Sequence, residues 1–126
     1  MSKSAKDYLA EANAEVTRIS TEEAIAKYSE GGRVFVDVRD SSAVAKTGTI
    51  RGAVRIPRGL IEFAADPEMK QLHNPVMQKD ADIYLVCGVG GQAALAGKTL
   101  KEMGYRNVTN IGGVPDWKEA GGPMED

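Results

Sequence analysis

The chain has one cysteine, one histidine and one tryptophan. A lone cysteine cannot close an internal disulfide, so a reducing compartment is expected and the cytoplasm is the expected location. One cysteine and one histidine cannot build a zinc site of the usual kind, and no metal is expected. No apolar run approaches the roughly 20 residues that a membrane span requires. Segment 1–15 mixes lysine, glutamate and alanine and lacks the apolar centre of a secretion signal. Positive charge is also scarce: 16 Lys and Arg against 18 Asp and Glu leave a formal charge of -2. Nucleic-acid binding usually demands a basic excess. Neither nucleic acid nor a membrane is therefore an expected partner. The chain has no internal repeat, low-complexity tract or linker.

What remains is ordinary for a single soluble domain: 126 residues, 42% hydrophobic and 27% charged. A chain of this size buries about two-thirds of its unfolded surface, enough for one core. Tyr8, Leu9, Ala12 and Val16 recur at helical spacing within 4–16. Arg18 and Ile19 read as a brief edge strand. Ser20 caps a helix over 21–28, with Glu23 placed for a capping box. Val34-Phe35-Val36-Asp37-Val38 and Ile83-Tyr84-Leu85-Val86-Cys87 are apolar, β-branched runs of the kind found in buried parallel strands. Ser41 or Ser42 starts a short helix, and Gly48 and Gly52 bracket a loop. Residues 53–56 form a short strand, 60–65 and 67–72 short helices, 92–103 a longer helix, 107–111 a last strand and 115–120 a final helix around Trp117. Strands alternating with helices imply a small central parallel sheet flanked by helices on both faces.

Functional groups in such sheets collect at the carboxyl ends of strands. Asp37 and Cys87 both end strands. The segment Cys87-Gly88-Val89-Gly90-Gly91-Gln92 then leads from strand to helix. Its glycines let the backbone curl so that successive N–H groups point inward, an anion-binding nest. The helix that follows adds the positive end of its dipole. A sulfur at that centre is stabilised as thiolate and becomes a nucleophile without a neighbouring base. A lone cysteine at a strand end is ordinarily a small buried hydrophobe; the glycine loop after it favours the reactive reading. Gly88-Val89-Gly90-Gly91-Gln92-Ala93 also matches the dinucleotide fingerprint, but the next strand ends near Asn110 rather than at an acid. A cysteine phosphatase needs an arginine at the loop's end, and none follows Cys87 before Arg106.

Four segments together resemble the single-domain rhodanese family of sulfurtransferases. They are Val36-Asp37-Val38-Arg39-Asp40; Gly48-Thr49-Ile50-Arg51-Gly52-Ala53-Val54-Arg55-Ile56-Pro57; the Cys87 loop with its helix through Gly104 and Tyr105; and Asn110-Ile111-Gly112-Gly113 through Trp117 to Gly121-Gly122-Pro123. The resemblance covers about 17–123. It implies a rhodanese-like domain over 17–126, with 1–16 as a helical extension. It implies a Cys87 persulfide formed from a small sulfane donor, thiosulfate or a persulfide. The outer sulfur then passes to cyanide or to a thiol, small or on a protein. No cofactor is implied. Cys87 is the expected catalytic residue, and Gly88, Val89, Gly90, Gly91 and Gln92 the expected anion-binding loop. The six residues from Cys87 to Gln92 match the sulfurtransferase loop length, one fewer than in related phosphatases and arsenate reductases.

The family loop often carries two arginines, at the positions held here by Gly88 and Gln92, and Thr49 stands where histidine is usual. Loss of charged contacts, each contributing roughly 1.5–3 kcal/mol, lowers the activity expected on thiosulfate. Asp37, Arg39, Arg51, Arg55 and Arg58 are candidates for a substrate mouth, Asp37 and Arg39 more as braces than as chemical groups. The alternative is a catalytically weak or inactive binding module on the same scaffold.

Overall fold

The two apolar runs lie side by side at the centre of the sheet. In the computed structural model, which describes residues 2–126, β2 (Val34–Asp37) and β5 (Asp82–Cys87) are parallel neighbours with Asp37 opposite Val86. In chain order, β1 is Thr17–Arg18, β3 Thr49–Ile50, β4 Val54–Arg55, β6 Asn107–Gly113 and β7 Met124–Glu125. The main sheet has five parallel strands in the order β1-β6-β5-β2-β4.

Side chains along a strand alternate between faces, and both faces here are apolar. Val36, Ile83, Leu85 and Cys87 belong to one core cluster. It is covered by α4 (Ile61–Ala64) and α5 (Gly91–Glu102), with α1 (Ala5–Glu15) packed beside α5. Phe35, Tyr84 and Val86 face the other way, into a cluster with Ile111 and Trp117. There α2 (Thr21–Glu30) and α6 (Val114–Glu119) cover the sheet. Parity alone therefore aims Cys87 at the α5 side.

Three local expectations are revised. Residues 67–72 form turns rather than a helix. All six are exposed, so no packing supports so short a helix, which is marginal in isolation; the Asp66 carboxylate instead accepts from the Glu68 amide at 3.0 Å. Thr49 and Ile50 are a strand rather than loop, paired antiparallel with β7 in the tail. Two-residue strands have no period to detect. Ser20 caps α2 by accepting from the Glu23 amide at 3.1 Å, without a return bond from Glu23. The full reciprocal box is at α1, between Ser4 and Asp7.

Among the described residues, no helix is long and apolar enough to cross a membrane.

Trp117 is packed edge-on to Tyr28 at 5.5 Å between centroids and donates from Nε1 to the Pro123 carbonyl at 2.9 Å. Trp117→Ala is expected to cost about 3–5 kcal/mol in urea unfolding. The buried Tyr105 hydroxyl donates to the Ala65 carbonyl at 2.8 Å. Burial, with Asp66 nearby, pushes its pKa from 10.0 up to about 12. Above pH 10 the unfolded chain sheds this proton while the folded chain retains it. Stability is expected to fall as pH rises from 10 to about 12, and Tyr105→Phe to flatten that slope in pH-dependent thermal melts.

Candidate active site

Every helix must satisfy the N–H groups of its first turn. Ser4 and Ser20 do this for α1 and α2 with a side-chain oxygen that accepts from the third helical residue, Asp7 or Glu23. Helix α5 has no such residue: its N-cap is Gly90. The acceptor is instead the sulfur of Cys87. The Gly90 amide donates to Sγ at 3.0 Å and the amide of Ala93, the third residue of α5, at 3.4 Å. The sulfur thus occupies the cap position at the positive end of the helix. It is also enclosed: Cys87 is 1% exposed and belongs to an apolar cluster that includes Val38, Ile56, Ile61 and Ala93. Of the loop, Gly88, Val89 and Gln92 are exposed and Gly90 is buried. Val89, 80% exposed, forms the tip.

The loop is held from the β6 side. Gly90 has φ +109, a left-handed conformation that disfavours any side chain. A Cβ on Gly113, opposite Cys87 in β6, would overlap the Gly88 carbonyl, so loop and strand touch backbone to backbone. Asn110, 1% exposed, bridges the two. Its Nδ2 donates to the Gly90 carbonyl at 2.9 Å and its Oδ1 accepts from the Gly112 amide at 2.8 Å. Arg18, at the end of β1, donates from Nη2 to the Val89 carbonyl at 3.1 Å. Asn110 and Arg18 are the loop contacts that sequence reasoning missed. Arg18 ends β1 and Asn110 lies within β6, and only the strand order brings them beside the Cys87 loop.

The family model for the rhodanese-like domain matches residues 20–120. The chain belongs to the rhodanese-like family. A solved structure from Rhodopseudomonas palustris CGA009, described as of unknown function and as a possible tyrosine phosphatase, is 36% identical. It superposes with a TM-score of 0.91 over 99% of this chain and 96% of that one. The polysulfide-sulfur transferase homodimer from Wolinella succinogenes gives a TM-score of 0.74 at 27% identity, over 96% of this chain and 86% of that one. The adenylyltransferase and sulfurtransferase UBA4 of Meyerozyma guilliermondii is 32% identical over 85 residues, 67% of this chain and 20% of the relative. The chain spans less than half the length of the curated relatives it matches.

Within this rhodanese-like domain the five mouth candidates separate. Asp37 is 0% exposed and paired with Arg39, whose Nη2 lies 2.7 Å from Oδ2. Asp37 also accepts from the Thr49 hydroxyl at 2.7 Å, and Arg39 donates to the Gly48 carbonyl at 2.8 Å. The pair is a buried brace that ties the end of β2 to β3 and does not offer free charge to a substrate. Arg51 is at the wrong end of the sheet: it lines a groove with Gly31, Arg33 and Val34 at the amino end of β2, away from Cys87. Arg55 and Arg58 are at the carboxyl end but engaged. Arg55 lies 3.7 Å from Glu125, and Arg58 3.2 Å from Glu62 while donating to Thr99 at 3.1 Å.

Asn110→Ala leaves the Gly90 carbonyl one partner short and the Gly112 amide unpaired, and is expected to cost about 1–3 kcal/mol. Asp37→Ala strands a buried guanidinium and is expected to cost about 3–5 kcal/mol. Arg55→Gln, at an exposed pair, is expected to cost no more than about 1 kcal/mol. Urea unfolding of the three variants checks the order.

Proposed function

We propose that this protein is a sulfurtransferase that carries sulfur as a Cys87 persulfide. The observation that carries the reading is the pair of amides, Gly90 at 3.0 Å and Ala93 at 3.4 Å, aimed at one sulfur at a helix start. N–H dipoles directed at a sulfur favour its anionic form, the nucleophile. With thiosulfate, the Cys87 thiolate attacks the outer sulfur. An S–S bond forms at Cys87, the S–S bond of thiosulfate breaks, and its electron pair leaves with sulfite. The new terminal sulfur is an anion, Cys–S–S⁻, and amides of Gly88, Val89, Gly90, Gly91 and Gln92 are the donors available to hold it. An acceptor thiolate, or cyanide, then attacks that outer sulfur and the electron pair returns to Cys87. Atoms and charge balance in both steps, and no cofactor is required. A protein thiol serves as acceptor as well as a small one. The rhodanese-like domain spans 17–126, with 1–16 as a helical extension whose helix α1 packs on α5. The unpaired thiol suits a reducing compartment, the cytoplasm.

A non-catalytic binding module is the second reading, and one observation favours it: the 1% exposure of Cys87. The description of the Rhodopseudomonas relative suggests phosphate esters as a third. Against it, the six residues from Cys87 to Gln92 are one fewer than in the related phosphatase loops, and Gln92 stands at the loop end where a phosphatase carries its arginine.

Intact-mass measurement after incubation with thiosulfate or polysulfide separates these readings. Wild type is expected to gain one sulfur atom and to release thiocyanate on adding cyanide. Cys87→Ser is expected to do neither. No gain from either donor overturns the proposal in favour of the binding module. Release of phosphate from p-nitrophenyl phosphate overturns it in favour of the phosphatase.

A further inference from the structure

We propose that Arg18 is the cation of the active loop: a guanidinium brought in from strand β1 that recognises the anionic end of the sulfur donor. This rests on the sulfurtransferase reading above and extends it to a residue outside the loop and outside the matched span 20–120.

The loop carries no positive side chain between Cys87 and Gln92. The Arg18 guanidinium lies against it. Its Nη2 donates to the Val89 carbonyl at 3.1 Å, and a Cβ on Gly90 would overlap the guanidinium. The same Nη2 lies 3.1 Å from the place a Gly112 Cβ would take. The cation therefore packs on Gly90, the residue whose amide holds the sulfur. Glycine at 90 and 112 is what leaves room for it.

Its charge is uncommitted. Arg33, Arg39, Arg55 and Arg58 each have a carboxylate within 4.0 Å. Among the described residues Arg18 has none in an ion pair, and it is exposed. One bond to Val89 leaves the other guanidinium donors for an incoming oxyanion, and the guanidinium fork suits such groups.

The chemistry needs such a group. A thiolate attacking thiosulfate brings two anions together, and a sulfite dianion must depart. Backbone dipoles hold charge, but they do not cancel a net one. A guanidinium at the rim attracts the donor and steadies the leaving group. The substrate class it fits is a sulfane sulfur attached directly to an anionic group such as a sulfonate.

Two alkylating agents of like size but different charge isolate this role from loop bracing and from sulfur transfer. Iodoacetate is anionic and iodoacetamide neutral. Arg18→Met keeps the stem and removes the charge; Arg18→Lys keeps the charge and removes the fork. Relative to wild type, Arg18→Met is expected to alkylate Cys87 about tenfold more slowly with iodoacetate, with less than about a threefold change with iodoacetamide. The difference should shrink as salt approaches about 1 M. Arg18→Lys is expected to stay within about threefold of wild type with both reagents, and sulfur gain from thiosulfate should follow the iodoacetate rates. Equal slowing with both reagents, or no slowing with either, overturns the assignment. If wild type gains no sulfur from any donor, the sulfurtransferase reading fails while the reagent ratio still decides whether Arg18 supplies charge to this thiol.

Discussion

The first turn of α5 is capped by a sulfur atom, and most of the local design follows from those bonds. A hydroxyl cap, such as Ser4 at α1 or Ser20 at α2, needs only its own residue and the next three. A sulfur cap supplied from the end of β5 needs the chain to pass through Gly88, Val89 and Gly90 and return over its own side chain. That path requires the left-handed Gly90 and the close approach of Gly113 to the Gly88 carbonyl. Capping by sulfur thus couples the position of the Cys87 thiol to the position of the helix. Neither moves without the other.

The loop itself offers dipoles and no charge. Its rigidity is backbone rigidity, reinforced by a buried amide, Asn110, that bonds both the loop and the strand beside it. A small, fully satisfied polar bridge of this kind specifies one arrangement, because each partner would be left unpaired in any other. Any charge must come from neighbours, and the fold determines which arginines are left without an acidic partner. Arg39 is consumed by Asp37, Arg55 and Arg58 by nearby acids, and Arg51 is carried to the far end of the sheet. The carboxyl-end rule places Arg18 beside the loop through the strand order β1-β6-β5.

The buried Asp37–Arg39 pair has a different task. It sits one strand away from Cys87 and binds the Gly48 carbonyl and the Thr49 hydroxyl, holding β3 against β2. With β7 paired to β3, the tail of the chain is joined to the same brace. Its side chains are aimed at structure, and its burial explains why an acid and a base within three residues of each other give no acid–base site.

Much of this was legible in the residues alone. The two β-branched runs, the glycine loop between a strand and a helix, and the amphipathic stripe of α5 are local patterns whose physics is local: side-chain alternation, φ freedom and helical period. From them the parallel sheet, its covered faces and the position of Cys87 at a strand end follow directly. The helix expected over 67–72 failed because burial, which local pattern cannot supply, was absent. The two-residue strands β3 and β7 escaped because they exist only through each other. Arg18 and Asn110 escaped for a related reason: they are 69 and 23 positions from Cys87 in sequence, and only the strand order places them at the loop. The sequence by itself determined that a thiol would stand before a curled, glycine-rich turn and a helix. The tertiary structure decided which side chains surround that turn, because parallel strands align ends that are remote along the chain, and a charge is available to a substrate only if no neighbour has already claimed it.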